Sequence, residues 1–328
     1  MTKDITLVVF SDLHLEKYKN FNEGNRRVKN GIDVLRKIAY ITKKYKAISV
    51  FTGDLYHKEQ GITNELFQET LPFLGKLWTS GKFKTIAITG NHDQSTANTI
   101  NKQSPSYIKT LSKTFKGIEC IDFSSREVDN MVLHGVPYIT HDIGLIDYIN
   151  SIKILKSKKN ILLLHTTMPN AKDTDDREIH SNLSTDAFYK ALERFDLVLC
   201  GHIHKPFTMK KNGTRIIQVG APQQQRFTDR NCDMGYWLIY SDLSYKFVPF
   251  THYPKFIEIE SIQDKLEDGN FYVVKPKIQV RLNDKVKEVR NFNDTTDKNS
   301  LAKNYCKEKG IKDSKKRKAL SNSLKNTE

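Results

Sequence analysis

Residues 198–207 read VLCGHIHKPF, an apolar run that ends in two histidines one residue apart. In an extended segment alternate side chains share a face, so His202 and His204 can point the same way. An imidazole is expensive to bury without a partner, and two converging on one point is a way of holding a metal ion. A plain strand ending in a polar turn has the same local pattern. The rest of the chain separates the two readings.

The chain has 328 residues, 38% hydrophobic and 28% charged, which suits one large domain with a smaller appendage. Its formal net charge is +15, a balance that favours polyanions, nucleic acid or an anionic membrane surface. The four cysteines, Cys120, Cys200, Cys232 and Cys306, form no CxxC pair. That excludes a zinc ribbon and a disulfide framework and fits a reducing compartment. No apolar stretch approaches the roughly 20 residues that span a bilayer. The start, MTKDITLVVFSDLHLE, reads as a first strand rather than a signal peptide. A soluble, cytoplasmic protein with no membrane partner is expected.

Short runs rich in Ile, Val and Leu recur: ITLVVF, AISVF, TIAIT, MVLHGV, NILLL, DLVLC, RIIQV, YWLIY and YKFVPF. Their length and composition suit buried strands. Val28, Ile32, Leu35 and Ala39 repeat at helical spacing. So do Leu66, Leu74, Leu77 and Trp78, after Asn64 as the expected N-cap. A third helix is predicted over 185–195. Alternating strands and helices indicate an α/β layered domain, and NG and SD turns place antiparallel hairpins late in it. The texture changes near Tyr253-Pro254. The expected organisation is a main α/β domain over 1–252, a small strand-rich appendage over 253–290 and a basic polar tail over 291–328. From Leu301 onward nine basic residues face three acidic ones, so the tail is expected to be disordered or to fold on a partner.

Five apolar runs end in metal-capable side chains. ITLVVF leads to Asp12 and His14, AISVF to Asp54 and His57, and TIAIT to Asn91, His92 and Asp93. NILLL leads to His165, and DLVLC to His202 and His204. Ligands in α/β sheets gather at the carboxyl ends of strands, so these loops can meet in space. Asp12, His14, Asp54, Asn91, His165, His202 and His204 are seven ligands, too many for one ion and suited to two that share a carboxylate. Asp54 is the best bridge, since Gly53 lets the backbone approach closely. Two ions so held can activate water and steady an in-line displacement at phosphorus. Oxygen and imidazole without thiolate point to Mn, Fe or Zn. His92 is placed to stabilise a phosphate or protonate a departing oxygen, with Asp93 to orient it, and His57 to bind a phosphate oxygen. His134, His141, His180 and His252 lack such company and read as structural or surface residues.

The motifs D-x-H, G-D-x-x-H, G-N-H-D, a lone His and G-H-x-H, in that order, resemble the calcineurin-like metallophosphoesterases. The resemblance implies a four-layer α-β-β-α sandwich with a dinuclear centre. It places one ion on Asp12, His14, Asp54 and His204, and the other on Asp54, Asn91, His165 and His202. GDLYH, GVPY at 135–138, FDLVLCGHIHKPF and VGAPQQQRFTDRNCDMGYWLI further resemble the SbcD-type DNA repair nucleases. That branch implies a manganese-dependent DNA exonuclease and endonuclease working as a homodimer with an SbcC-type ATPase. Helices near 66–78 and 107–115 would supply the dimer's apolar bundle. The loop TTMPNAKDTDD after His165 and the short region after Tyr253 depart from the branch, and the compact chain as a whole resembles the nuclease subunits of large bacteriophages more than bacterial ones. The expected function is a two-metal DNA nuclease. A small-molecule phosphodiesterase on the same scaffold is the alternative, and a non-enzymatic DNA-binding subunit a third.

Overall fold

The computed structural model describes residues 4–57, 61–95, 103–139, 144–260 and 270–274. It is a sandwich of two six-stranded sheets. The first sheet holds β1 (Ile5–Phe10), β2 (Ile48–Phe51), β3 (Thr85–Ala87) and β4 (Ile118–Cys120) in parallel. The hairpin β11 (Gly235–Tyr240) and β12 (Tyr245–Pro249) joins it antiparallel on the β1 side. The second sheet runs β5 (Ser125–Val128), β6 (Met131–Val136), β7 (Lys159–His165), β8 (Leu197–Gly201), β10 (Thr214–Gln218) and β9 (Phe207–Lys211). Its β6, β7, β8 and β10 are parallel, and its two outer strands antiparallel.

The period of two in the strands builds the layers. In β1, Leu7 and Val9 face the interior between the sheets, while Val8 and Phe10 face α1 (Arg26–Lys44), α2 (Asn64–Trp78) and α3 (Tyr107–Thr114). In β7, Ile161 and Leu163 meet the first sheet, while Leu162 and Leu164 face α4 (Leu145–Ser151) and α5 (Thr185–Leu192). Both faces of each central strand are therefore buried, which is why those runs are continuously apolar. The expected four layers are present.

Local differences have local causes. Thr63, not Asn64, caps α2: its Oγ1 accepts the Leu66 N–H at 3.3 Å. The stripe of α1 runs through Val28, Ile32, Leu35 and Ile38, with Ala39 at its margin. Edge strands β5 (SREV) and β9 (FTMKK) carry too few apolar residues to stand out in sequence. The helices offered to a second subunit are occupied at home: Leu66, Leu74, Trp78, Ile108 and Leu111 are buried in the same cluster as Val8 and Phe10. Helix α2 also leaves Phe67 47% exposed.

One compact unit comprises residues 1–257 and 266–273, and a second comprises 258–265 and 274–328. Beyond Tyr253, β13 (Phe256–Ile259) and β14 (Phe271–Val274) are described. The basic tail, KIQVRL and His141 lie outside the described residues. Among the described residues no helix is long and apolar enough to cross a membrane.

Candidate metal centre

The five loops leave the carboxyl ends of β1, β2 and β3 in one sheet and β7 and β8 in the other. They meet on the rim where the two sheets' strands end. Backbone bonds zip the first loop to the second: Asp12 N–H to Gly53 C=O at 2.9 Å, His14 N–H to Asp54 C=O at 3.0 Å, and Leu15 N–H to Leu55 C=O at 2.8 Å. This pairing twists the chain sharply. Asp12, His14, Asp54 and His202 all take left-handed backbone angles, with φ of 50°, 48°, 66° and 91°. Such conformations are costly away from glycine and collect at functional sites. Gly53, at φ 106°, has no room for a side chain: a Cβ would stand 2.6 Å from His165 Nδ1 and 2.7 Å from Gly90 N.

The seven expected ligands converge. Asp12, His14 and His204 present ligand atoms within 4.8 Å of one another, as do Asp54, His165 and His202. Asp54 joins the groups, its Oδ2 lying 3.6 Å from His14 Nε2 and 3.4 Å from His165 Nε2. Its Oδ1 accepts the His92 N–H at 2.9 Å. Asn91 Oδ1 lies 3.1 Å from His165 Nε2 and 2.9 Å from His202 Nδ1. Each group gathers side chains that the resemblance assigns to one ion, with Asp54 between them.

Supporting contacts choose which nitrogen faces inward. His165 Nδ1 donates to the Thr52 carbonyl at 2.6 Å, leaving Nε2 toward Asp54 and Asn91. His204 Nδ1 faces Asp229 Oδ2 at 3.5 Å, leaving Nε2 3.2 Å from His14 Nε2. Backbone-carbonyl and carboxylate buttresses of this kind orient metal-ligating histidines.

Charge completes the test of fit. Asp12 and Asp54 are 0% and 1% exposed, and their ion-pair partners within 4 Å are imidazoles. Burial alone would raise the Asp54 carboxyl; the charge and hydrogen bond of His165, with His14, outweigh it and hold it below the carboxylate range. Burial likewise opposes a proton on His165, yet Asp54 raises that imidazole to about 9. Burial and the His165 charge push His202 down to about 3. A buried aspartate pair beside which His165 and His204 are raised while His14 and His202 are held down is a donor set that suits two cations.

His57 and His92 flank the centre. Their rings stack at 5.3 Å and 11°, and His92 Nδ1 donates to the His57 carbonyl. His57 Nδ1 lies 3.3 Å from His14 Nδ1. Burial and the His92 charge lower His57 to about 4. With His14 they form a third close group, which, unlike the other two, contains no carboxylate.

Asp93 corrects an expectation. It does not orient His92. Its carboxylate accepts the N–H groups of Asp54 at 2.7 Å, Leu55 at 2.8 Å and Gly90 at 3.0 Å, so it fastens the second loop to the third. Asp93 is a positioning residue. Sequence reasoning missed Asp229, which lies in FTDRN with no motif spacing to mark it. It also missed Tyr18 and Tyr138, whose rings lie 5.4 Å from His57 and 5.7 Å from His202.

Two sheets whose strand ends share a dinuclear donor set of aspartate, asparagine and histidine define a metal-dependent phosphoesterase. The chain belongs to the calcineurin-like phosphoesterase family, whose match covers residues 5–206. A probable cyclic nucleotide phosphodiesterase of Vesicomyosocius okutanii is 23% identical over 242 residues, covering 72% of this chain and 94% of that one. Among solved structures, the protein TT1561 of Thermus thermophilus aligns over 76% of this chain and 99% of its own, at 10% identity and a TM-score of 0.46. A dimetal phosphatase from Danio rerio aligns over 73% and 93%, at 10% identity and 0.47.

Proposed function

We propose that the protein is a two-metal phosphodiesterase acting on DNA, an exonuclease and single-strand endonuclease of the SbcD type with manganese as the working metal. The observation that carries the phosphodiester chemistry is the pair of carboxylate-bearing ligand groups joined at Asp54. Asp12, His14, Asp54 and His204 would hold one ion, and Asp54, Asn91, His165 and His202 the other. Two divalent ions supply Lewis-acid polarisation of the phosphate and an acidified water. His92, steadied by the His57 carbonyl, is placed to protonate the leaving oxygen, and His57 to bind a non-bridging oxygen. Asp93 keeps the loops carrying Asp54 and Asn91 in register.

The net charge of +15 supports a polyanionic substrate, because lysine and arginine contacts to phosphate supply most non-specific DNA affinity. A homodimer working with an SbcC-type ATPase in the cytoplasm belongs to this reading. The second reading is a small-molecule phosphodiesterase, favoured by the name of the Vesicomyosocius okutanii relative. One assay separates them: end-labelled duplex and single-stranded DNA, and a 3′,5′-cyclic nucleotide, each with manganese and with chelator. Manganese-dependent DNA cleavage, abolished by chelator and in His92→Ala, is the expected result. Turnover of the cyclic nucleotide alone would replace the first reading by the second.

A further inference from the structure

Two arginines approach the rim through one glutamine, and they are used differently. Gln225 is 4% exposed, and four of its polar atoms are engaged. Its N–H donates to Asp229 Oδ2 at 2.8 Å, and its carbonyl accepts from Arg27 Nη2 at 2.6 Å. Its Oε1 accepts from the Tyr18 hydroxyl at 3.1 Å, and its Nε2 donates to the Leu13 carbonyl at 2.9 Å. Leu13 stands between Asp12 and His14, so the clasp ties this segment to the first metal loop. Arg27 is the inner arginine. It is 8% exposed, with its guanidinium 3.4 Å from the centroid of the Tyr18 ring.

Arg226 is the outer one. Its N–H also donates to Asp229 Oδ2, at 3.0 Å, and that same oxygen faces His204 Nδ1. Its carbonyl accepts the Asp229 N–H at 3.0 Å, so the backbone at 226 is held on both sides. The side chain is exposed, and none of the ion pairs of Asp229, Asp175 or Asp176 uses it. The Arg226 amide and the His204 ring thus share one carboxylate oxygen, which sets this residue beside the metal centre. A cation beside a cluster built to hold cations is unfavourable until an anion lies between them. A guanidinium matches the paired oxygens of a phosphate.

We infer that Arg226 is a phosphate-binding residue of this site, gripping non-bridging oxygens of the substrate's phosphodiester chain. The inference rests on the phosphodiesterase reading and adds the residue that favours a polyanionic substrate. The test is binding of a fluorescein-labelled single-stranded oligonucleotide in chelator, by anisotropy over roughly 50–200 mM salt. Wild type, Arg226→Ala and Arg226→Lys are compared, with melting curves for each. The alanine variant should bind on the order of tenfold more weakly, with a log–log salt slope smaller by about one. The lysine variant should keep the slope and recover only part of the affinity, having lost the fork.

Wild-type affinity and slope in the alanine variant would overturn the inference. If that variant melts early, the lysine variant decides: weakened binding with an unchanged slope supports the inference, and wild-type affinity removes it. A wild-type protein that binds the oligonucleotide yet hydrolyses no phosphodiester with manganese overturns the phosphodiesterase reading while leaving the Arg226 comparison readable. One that binds no oligonucleotide overturns the Arg226 inference, whatever ester it cleaves.

Discussion

His134 and His165 lie on neighbouring strands of one sheet, and both are buried, at 1% and 0% exposure. Their environments differ completely. His134, mid-strand in β6, meets neutral partners. Asn160 gives its Nδ2 protons to the Leu155 and Lys158 carbonyls, so its Oδ1 accepts from His134 Nε2 at 3.1 Å. Ser125 Oγ, 2.7 Å away, then donates to His134 Nδ1. Burial lowers the proton affinity of that ring. His165, at the end of β7, meets Asp54, and its proton affinity is raised despite greater burial. Burial alone makes a core histidine. Burial with carboxylates that have no lysine or arginine partner makes a place for a cation.

The largest effect should come from removing the carboxylate that separates the two cases. Asp54→Asn should lower phosphodiester hydrolysis by at least about a thousandfold, since several kcal/mol of charge stabilisation depend on the shared ligand. It should also lower bound manganese below two ions per chain, read by elemental analysis. Normal metal content and turnover in that variant would break the comparison.

Next is the buttress of His204. Asp229→Asn keeps the shape but removes the charge facing Nδ1, and it should reduce metal affinity or activity by about 10- to 100-fold. Titration of the metal-free variant with manganese measures it. An effect as large as that of Asp54→Asn would mean that Asp229 is itself a ligand.

The smallest effect belongs to His134. Because its folded proton affinity lies below the ordinary value, the unfolded chain takes up a proton first as pH falls through about 6.5, and stability is lost on that side. Above that range the ring is neutral in both states and contributes no pH dependence. His134→Gln should make the loss of stability between about pH 7 and 5 shallower, by up to about 1.4 kcal/mol per pH unit, with metal content unchanged. Denaturant melts across that range test it. A changed metal content would place His134 with the rim histidines.

The layers were legible in sequence because each central strand is buried on both faces and writes an unbroken apolar run. Edge strands such as SREV escaped because one face is wet and the run is short. An apolar stripe on a helix does not by itself say which surface covers it. Leu66, Leu74 and Trp78 turned out to cover the first sheet. Asp93 was misread because adjacency to His92 suggested a partner, whereas a buried carboxylate takes the nearest unpaired backbone amides.

By itself the sequence determined the donor set and the strand ends that carry it. Metal chemistry depends on residue type, and a strand followed by a short loop delivers those types to one edge. Only the tertiary structure decided which nitrogen of each histidine faces inward, that Asp93 fastens loops, and that Asp229 and Gln225 join the rim. Those contacts link positions as far apart as Leu13 and Gln225, 212 residues along the chain, and no local spacing records which backbone groups folding leaves open to them.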